Sequence, residues 1–446
     1  MAMNRRTFLA TSTLAAAAPL ILPTTQVFGA SAPSNKLNVA LIGAYGRGKA
    51  HWDVLSTQNV VALCDVDEKH LALAGEKFPA AKHYVDWREC LNHKGLDAVV
   101  ICTVDQTHAM IALWAMNRNL HVYLEKPMGI SVEECRLLRE TYLKKQDTIA
   151  TQVGTQRHAE SNFNRVREAI RDGAIGQLEE ACAGGNRQIR RKSYLPAQGE
   201  PPKELHYDLW LGPTPDHPYN PGYFTGKPGA NCLEWNMFWD FGTGQIGDMG
   251  AHTMDLLWNA VDATTPTSAE AKGEAFNPDV TPVELAMHFQ HPANSWRPEI
   301  KISWYQGGLM PESPSSWIDL RKIGHGALFT GSEGYLLCDF SKRLIIPLGT
   351  KSDFSYFHPR AEKDLIPTMR GFVEQWFAAC QDPKRNKTSC NFDYSGLMHE
   401  QQMLGLAAYR AGTKLQYDGR TGKVTNNEAA NKFLRRTYRD GWKLVG

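Results

Sequence analysis

The sequence predicts an α/β protein, in which a doubly wound parallel sheet is followed by a C-terminal α+β domain with an open, mainly antiparallel sheet. Three observations support this fold class. A short apolar run ends at a glycine cluster near residue 43, strands and helices alternate up to residue 153, and strand candidates without crossover helices fill residues 283–348. We therefore assign residues 34–153 to the first domain and 154–446 to the second.

The first element is the apolar run Leu37–Ile42, which leads into Gly43, Gly46 and Gly48. A strand, a glycine turn and a helix in this order form the phosphate-binding unit of a Rossmann domain, where backbone N–H groups at the helix start face a pyrophosphate. Gly43 and Gly48 fit the G-x-G-x-x-G spacing, but Tyr45 occupies the middle position. Because glycine turns also occur in ordinary loops, this motif alone leaves both uses open.

The second strand candidate, Val60–Asp65, ends in an acid about 20 residues after the first glycine. At that distance a carboxylate accepts hydrogen bonds from the adenosine ribose and repels a 2′-phosphate. Asp65 therefore favours NAD over NADP as the cofactor. The alternative is that Asp65 and Asp67 only cap the following helix.

Further strands of the first sheet are predicted at Leu96–Cys102, His121–Glu125 and Thr148–Val153. Ligands of doubly wound sheets bind at the carboxyl ends of the strands. Those ends carry Thr103 and Lys126 in addition to the glycine turn. Beyond residue 154 we predict helices at 162–172, 248–261, 365–380 and 394–409, and a Gly/Pro/Trp/Tyr-rich region at 184–244.

Residues 1–33 contain the pair Arg5 and Arg6, a short apolar segment interrupted by prolines, and a zone of small residues. This pattern is typical of a twin-arginine signal peptide, so we expect export of the folded protein to the periplasm or beyond. No later segment approaches ~20 uninterrupted apolar residues, and no membrane span is predicted. The formal net charge of +2 and the scattered basic residues do not indicate a nucleic-acid partner. Nine cysteines without a C-x-x-C pair predict no disulfide.

The first candidate for chemistry is Glu125-Lys126-Pro127, at the exit of a strand beside the nucleotide crevice. An ammonium group there can donate to a substrate hydroxyl and stabilise a developing alkoxide. Pro127 fixes the turn and with it the lysine. A surface lysine before a helix-start proline is the alternative, and the position at the strand end favours the catalytic interpretation.

The second candidate opens the helix predicted from residue 248. Spacings of four and three residues bring Asp248, His252 and Asp255 to one helix face. Imidazole titrates near neutrality, so we predict His252 as the general base. One alternative is a zinc site, although no second histidine at i+4 and no cysteine cluster is present. The other is a capping Asp248 with a structural His252. We predict no metal.

These residues together resemble the Gfo/Idh/MocA oxidoreductases, a family that includes glucose-fructose oxidoreductase and inositol dehydrogenase. The glycine turn, Thr103–His108, Glu125–Pro127, Gly154–Arg157 and the Asp248-x-x-x-His252-x-x-Asp255 pattern occur in the expected order. The resemblance covers essentially the whole mature chain and is closest to the exported, twin-arginine-bearing branch.

The resemblance implies tightly held NAD(H) or NADP(H), a cis peptide before Pro127, and Lys126, Asp248 and His252 as the catalytic set. It also implies a homodimer or homotetramer formed through the C-terminal sheet. The residues expected to contact the cofactor are Gly43, Tyr45, Gly46, Arg47, Gly48, Asp65, Thr103, His108, Glu125 and Lys126.

The expected substrate is a sugar, a glycoside or a cyclitol. Its expected contacts are Lys126, Arg157, Trp239, Asp248 and His252, because aromatic faces and guanidinium groups suit carbohydrate rings. Trp239 could equally be a core or interface residue.

Three functions are open. The first is net hydride transfer from a hydroxyl-bearing carbon to NAD. The second is an NAD-dependent glycosidase or lyase that works by transient oxidation, elimination and re-reduction; in similar proteins of that kind the lysine of Glu-Lys-Pro tends to be replaced, whereas Lys126 is present here. The third, a protein that retains nucleotide without turnover, is disfavoured by the intact set of Lys126, Asp248 and His252.

Overall fold

The computed structural model describes residues 36–349 and 353–444, so the predicted signal segment, residues 1–33, lies outside the described residues. Two sheets organise the described chain. The predicted fold class is confirmed, because the first sheet is parallel and the second is mixed and mostly antiparallel. Within these ranges, no helix combines the length and the apolar character needed to cross a bilayer.

The first sheet has the order β3-β2-β1-β4-β5-β6. Its strands are β1 (Asn38–Ile42), β2 (Asn59–Cys64), β3 (Lys82–Tyr84), β4 (Ala98–Ile101), β5 (His121–Leu124) and β6 (Thr151–Val153). Its helices are α1 (Trp52–Leu55), α2 (Glu68–Lys77), α3 (Trp87–Cys90), α4 (Asp105–Asn117) and α5 (Val132–Lys145). The strand order reverses between β1 and β4, so the carboxyl ends of these two strands border the crevice in which such sheets bind ligands.

The second sheet has the order β13-β12-β11-β7-β10-β9-β8-β14-β15, and its neighbours are antiparallel except for the β7/β10 pair. Its strands are β7 (Leu178–Gly185), β8 (Ser268–Gly273), β9 (Leu285–His291), β10 (Ile300–Gln306), β11 (His325–Gly331), β12 (Gly334–Cys338), β13 (Arg343–Pro347), β14 (Leu415–Asp418) and β15 (Lys423–Val424). The remaining helices are α6 (Ser161–Arg171), α7 (Tyr207–Leu211), α8 (Cys232–Trp235), α9 (Ala251–Val261), α10 (Phe372–Gln381) and α11 (Phe392–Ala411). Apolar residues of α6, α9 and α11 form one buried core with this sheet.

Residues 186–244, which we call the cap segment, connect β7 to the turn before α9 and include α7 and α8. An aromatic cluster that contains Trp210, Tyr223 and Phe241 gives the segment its own small core. The cap segment is attached to the first sheet near the end of β2, where His206 N donates to Val66 O at 2.8 Å and Glu68 N donates to Glu204 O at 2.9 Å. The segment therefore covers the crevice of the first domain.

The C-terminal helices return to the first domain. The helix predicted from residue 365 begins only at Phe372, because the residue before Pro367 avoids the α region and Gly371 precedes the first turn. Trp376 on α10 lies against Tyr123 of β5, with ring centroids 5.6 Å apart, and belongs to the core of the first sheet. Trp442 near the end of the chain packs near Trp87 in the same way, at 6.3 Å. The stretch around Trp442 and α10 thus complete the core of the first domain, although both lie in the C-terminal part of the chain.

Candidate active site

The glycine turn after β1 has the geometry of a phosphate-binding turn. Gly43 and Gly46 have φ of +79° and +58°, values that favour glycine. A Cβ atom on Gly43 would lie 2.5 Å from Cys102 O, and one on Gly48 would lie 2.0 Å from Gly43 O. Neither position has room for a side chain, so the turn fits the close backbone approach that a pyrophosphate needs. Gly46, one residue after Tyr45, supplies the second left-handed residue of the turn.

Glu125, at the end of β5, ties that turn to the parallel sheet. Its carboxylate is 2.9 Å from Arg47 Nε and 2.8 Å from His51 Nε2. Burial alone would raise the pKa of Glu125, but the charge of Arg47 and the hydrogen bond of His51 lower it to about 2. Arg47 and Glu125, two of the predicted cofactor residues, therefore form an ion pair beside the crevice.

Asp65, which follows β2, lines the cavity beside the glycine turn. Its carboxylate accepts hydrogen bonds from Tyr45 N at 3.3 Å and Asp67 N at 3.1 Å, and it lies 3.7 Å from His70 Nδ1. Tyr45 stacks on His70 with ring centroids 4.7 Å apart. Asp67 caps α2 by accepting from Lys69 N, so the capping role belongs to Asp67 and leaves Asp65 facing the cavity.

His108 connects the turns that follow β4 and β5. Its Nδ1 is 2.7 Å from Pro127 O and its Nε2 is 3.0 Å from Thr103 O. The ring is buried, and the Lys126–Pro127 peptide is cis, as the resemblance implies. His108 thus positions both turns, while Thr103 lies at the cavity wall.

Lys126 and Asp248 form the centre of the candidate site. Lys126 Nζ and Arg187 Nη1 each donate to one oxygen of the Asp248 carboxylate, so the aspartate lies between two cations. Burial alone would lower the pKa of Lys126, but the charge of Asp248 outweighs it and raises that pKa above its usual range. Burial would raise the pKa of Asp248, but the charges of Lys126 and Arg187 lower it below its usual range. The pair is therefore an ammonium and a carboxylate at all ordinary pH values.

His252 lies on α9, one turn beyond Asp248, and is buried. Neither ring nitrogen hydrogen-bonds to the described part of the chain, and Nδ1 is fully enclosed. Burial, followed by the charge of Lys126, lowers the pKa of His252 to about 3. The imidazole is therefore neutral and can accept a proton, but it is a far weaker base than an ordinary histidine.

The third member of the predicted polar helix face lies apart from the other two. Residues Ile246–Gly250, which contain Asp248, form a π-helical turn that precedes α9. Asp255 is fully buried and accepts hydrogen bonds from His158 Nδ1 at 3.0 Å and Tyr394 OH at 2.6 Å. Asp255 therefore links α9 to α11 and is not part of the candidate site.

The two remaining predicted substrate residues, Arg157 and Trp239, have different surroundings. The charges of Arg157 and Lys126 both act on His252, so Arg157 lies near the candidate site, and its guanidinium stacks on Phe340 at 4.3 Å. Trp239 instead packs near Tyr409 and Phe276, and its indole donates to Asn277 O at 3.0 Å. These contacts hold the Trp239 ring beside α11, so we leave Trp239 out of the site proposed below.

A cavity of about 180 Å³ joins the glycine turn, Asp65, Thr103, Lys126 and Asp248. Its opposite wall comes from the cap segment, with Trp210, Asn231 and Cys232 among the lining residues. Asp105, the first residue of α4, also lines it, and burial raises the pKa of Asp105 well above the usual range. The cavity is therefore enclosed by residues of both domains.

Two groups of potential metal ligands occur in the described ranges, and all their members except the half-buried His158 are buried. In each, three donor atoms lie within 4.8 Å of one another. In the first group, formed by His51, Cys102 and Glu125, the carboxylate is already paired with Arg47. The second, His158 with Asp255 and Cys390, is hydrogen-bonded internally and to Tyr394.

Two regions of the chain match the domains of one family. Residues 37–154 match the Gfo/Idh/MocA oxidoreductase family, NAD-binding Rossmann fold, and residues 188–290 match the C-terminal α/β domain of that oxidoreductase family. The prediction of an NAD-binding Rossmann domain is therefore confirmed.

Two curated relatives illustrate the range of similar proteins. Inositol 2-dehydrogenase of Salmonella typhimurium (strain LT2) is 29% identical over 126 residues, which are 28% of this chain and 37% of the relative. A glycosyl hydrolase family 109 protein of Stenotrophomonas maltophilia is 28% identical over 256 residues, 52% of this chain and 50% of the relative. The chain thus spans half or less of the length of these relatives.

Among solved structures, the WlbA dehydrogenase from Bordetella pertussis, in complex with NADH and UDP-GlcNAcA, superposes with a TM-score of 0.60 and 14% identity. The match covers 86% of this chain and 99% of that chain. It supports the two-domain fold over nearly the whole of the neighbour.

Proposed function

The chain belongs to the Gfo/Idh/MocA oxidoreductase family, and from that membership we propose that it oxidises a CH–OH group of a sugar, glycoside or cyclitol with NAD as the hydride acceptor. The observation that carries the proposal is the Lys126–Asp248 ion pair, which lies in the same cavity as the glycine turn and beside the unpartnered His252. The nicotinamide, when bound, supplies the hydride acceptor.

In the proposed mechanism, the substrate hydroxyl lies between Lys126 and His252. Lys126 donates a hydrogen bond to the hydroxyl oxygen, where negative charge grows as the hydride leaves the same carbon. His252 accepts the hydroxyl proton. Because the pKa of His252 is about 3 in the free protein, the transfer depends on Lys126 lowering the pKa of the substrate hydroxyl at the same time. Asp248 keeps the ammonium aimed at that oxygen.

The cofactor is proposed to be NAD, held by Gly43, Gly46 and Gly48 at the pyrophosphate and by Asp65 at the adenosine ribose. The supporting observations are the two sites where a Cβ would clash and the Asp65 carboxylate at the cavity wall. Tyr45, Arg47, Thr103, His108, Glu125 and Lys126 complete the proposed cofactor-binding set.

The test is to purify the protein with its copurifying cofactor and supply a panel of monosaccharides, cyclitols and glycosides. Under the proposal, at least one substrate causes NADH to accumulate, measured by absorbance, and Lys126→Met abolishes the signal. Absence of NADH from every substrate, with no other product formed, would contradict the proposal.

A redox-neutral glycosidase is the second candidate, and the longer alignment with a glycosyl hydrolase family 109 protein favours it. In that case the same oxidation acidifies the neighbouring C–H, the proton and the glycosidic group are eliminated to leave an enone, water adds across its double bond, and the NADH formed in the first step reduces the ketone again. Nitrophenyl glycosides distinguish the two functions. Release of nitrophenol in D₂O without net NADH, with deuterium at the carbon next to the oxidised one, identifies the glycosidase.

Export by the twin-arginine route, and so a periplasmic or extracellular location, is proposed from Arg5, Arg6 and the following apolar segment. This route carries folded cargo, so the cofactor would bind before export. Converting Arg5 and Arg6 to lysine should retain the protein in the cytoplasm, as measured by cell fractionation. Unchanged secretion would contradict the proposal.

Association through the second sheet, as a homodimer or homotetramer, is likewise proposed. The face opposite α6, α9 and α11 carries the half-buried side chains of Tyr305, Tyr335 and Leu337. Light scattering of the parent should give a multiple of the chain mass, and Tyr335→Asp with Leu337→Asp should shift it to the monomer. A monomeric parent would contradict this proposal.

A further inference from the structure

The second-domain side of the candidate site carries more positive than negative charge. Arg187, just after β7, shares Asp248 with Lys126. The guanidinium of Arg157, in the 3₁₀ turn Gln156–Ala159, lies against Phe340 but has no ion pair or hydrogen bond to residues 36–349 and 353–444. Asp248 therefore pairs with two cations, and Arg157 adds a third positive charge that is unpaired among the described residues.

Nearby titratable groups do not restore the balance. Glu125 is already paired with Arg47, and burial moves the pKa of Asp105 towards the neutral acid. Burial, then the charge of Arg187, lowers the pKa of His325 to about 4, and His252 is also neutral at pH 7. The excess positive charge therefore persists at neutral pH.

Two buried polar atoms converge on the same place without a partner among the described residues. They are Gln245 Nε2, just before the π-helical turn, and His325 Nδ1, at the start of β11. A Cβ on Gly185 would lie 2.4 Å from the first atom and 2.6 Å from the second, so both point at the backbone two residues before Arg187. An unpaired buried polar group costs about 1–3 kcal/mol, and a polar ligand would remove that cost.

We propose that the substrate is an anionic sugar, whose carboxylate or sulfate group binds Arg157 and the free part of Arg187, next to Gln245 and His325. The hydroxyl to be oxidised then lies at Lys126 on the same sugar ring. This inference rests on the proposed oxidoreductase function and names the substrate class of that site. Guanidinium groups suit this role because they bind planar anions through two parallel hydrogen bonds.

The test compares matched pairs of ligands on the NAD-loaded protein by calorimetry. Glucuronate, galacturonate and mannuronate are each paired with the neutral hexose, and glucose 6-sulfate distinguishes a sulfate from a carboxylate site. At least one anion should bind tenfold or more tightly than its neutral partner, since hydrogen bonds to charged groups contribute roughly 1.5–3 kcal/mol. The preference should weaken as salt is raised.

Arg157→Gln is the decisive variant, because removing Arg157 leaves no ionic partner behind. It should abolish most of the anion preference and leave the melting temperature unchanged, while Arg157→Lys retains part of the preference. Arg385→Gln is the matched control, because Arg385 is an exposed arginine on a loop and its side chain makes only a 3.6 Å ion pair, with Asp382. An unchanged preference in Arg157→Gln would overturn the inference.

The two proposals fail in different ways. NADH formed from neutral sugars as readily as from all the acidic ones overturns the anionic substrate and leaves the oxidoreductase intact. Arg157-dependent binding of an anion without NADH or aglycone from any substrate overturns the oxidoreductase and leaves the anion site intact.

Discussion

Glu125 and Asp248 are both buried carboxylates held by two basic side chains, yet their surroundings differ. Glu125 is held by Arg47 and His51, and all three lie in the first domain within the unit that shapes the glycine turn. Asp248 comes from the π-helical turn, and its partners come from the exit of β5 and from the cap segment. The same kind of pairing therefore serves two purposes: Glu125 fixes a turn, while Asp248 orients a cation that comes from the other domain.

The largest expected effect is on the Asp248 side, at His252. His252→Ala should lower kcat by roughly 10²- to 10⁴-fold, the usual contribution of a general base. Cofactor affinity and melting temperature should change little, because the ring has no hydrogen bond to lose. Steady-state kinetics on the identified substrate give the measurement, and His399→Ala, a buried histidine on α11, serves as the structural comparison. Near-parent turnover would return His252 to a structural role.

Lys126→Met should lower kcat by roughly 10²- to 10³-fold, since one preorganised donor to a developing oxyanion contributes about that much. Arg187 still pairs with Asp248 in this variant, so the protein should fold and retain NAD. Lys94→Met, at an exposed lysine, is the matched control. If Lys126→Met loses NAD but keeps its turnover, Asp248 does not orient a catalytic cation and its role does not differ from that of Glu125.

Glu125→Gln should affect stability more than turnover. Removing one partner of a buried pair destabilises by roughly 3 kcal/mol, so calorimetry should show a lower melting temperature and weaker NAD binding. The pH dependence has a definite sign: the folded pKa of Glu125 is about 2 against an ordinary 4.5, so its contribution is complete above pH 4.5 and is lost as pH falls towards 2. The variant should therefore lose part of the acid sensitivity of the parent. A parent-like melting curve at both pH 7 and pH 4 would contradict this assignment.

The smallest expected effect lies at the far end of the crevice. Asp65→Ser should weaken NAD binding about tenfold and improve NADP binding, because one charged acceptor is lost and a 2′-phosphate is no longer repelled. Asp67→Ser is the matched control, since serine can still cap α2. Fluorescence titration of both cofactors gives the affinities. An NADP preference in the parent would show that Asp65 does not contact the ribose.

The parallel sheet and its strand-end residues could be predicted because each depends on local sequence. Gly43, Asp65 and Lys126 all follow strands whose apolar runs are unmistakable, and the structure brings them to one cavity. The prediction that a helix begins at Leu365 was wrong, because Pro367 and Gly371 prevent a helix there and the helix begins at Phe372.

Other site residues could not be found by that route. Arg187, Gln245 and His325 come from separate loops and a strand start, and only the second sheet and the cap segment bring them together. No spacing in the sequence encodes such proximity. The low pKa of His252 is also a tertiary property, since it comes from burial and from Lys126, 126 positions earlier in the chain. Trp239 is aromatic and near the motif in sequence, yet the fold places its ring beside Tyr409.

The return of α10 and of Trp442 to the first core has a consequence for modular recombination. A chimera joined after Val153 would exchange the parallel sheet but leave behind Trp376, which packs near Tyr123, and Trp442, which packs near Trp87. It would also separate Val66 and Glu68 from the cap residues that bond to them. The nucleotide-binding half of this protein is therefore assembled from four stretches of chain, namely the parallel sheet, the cap segment, α10 and the stretch around Trp442, and a functional graft of it would have to carry all four.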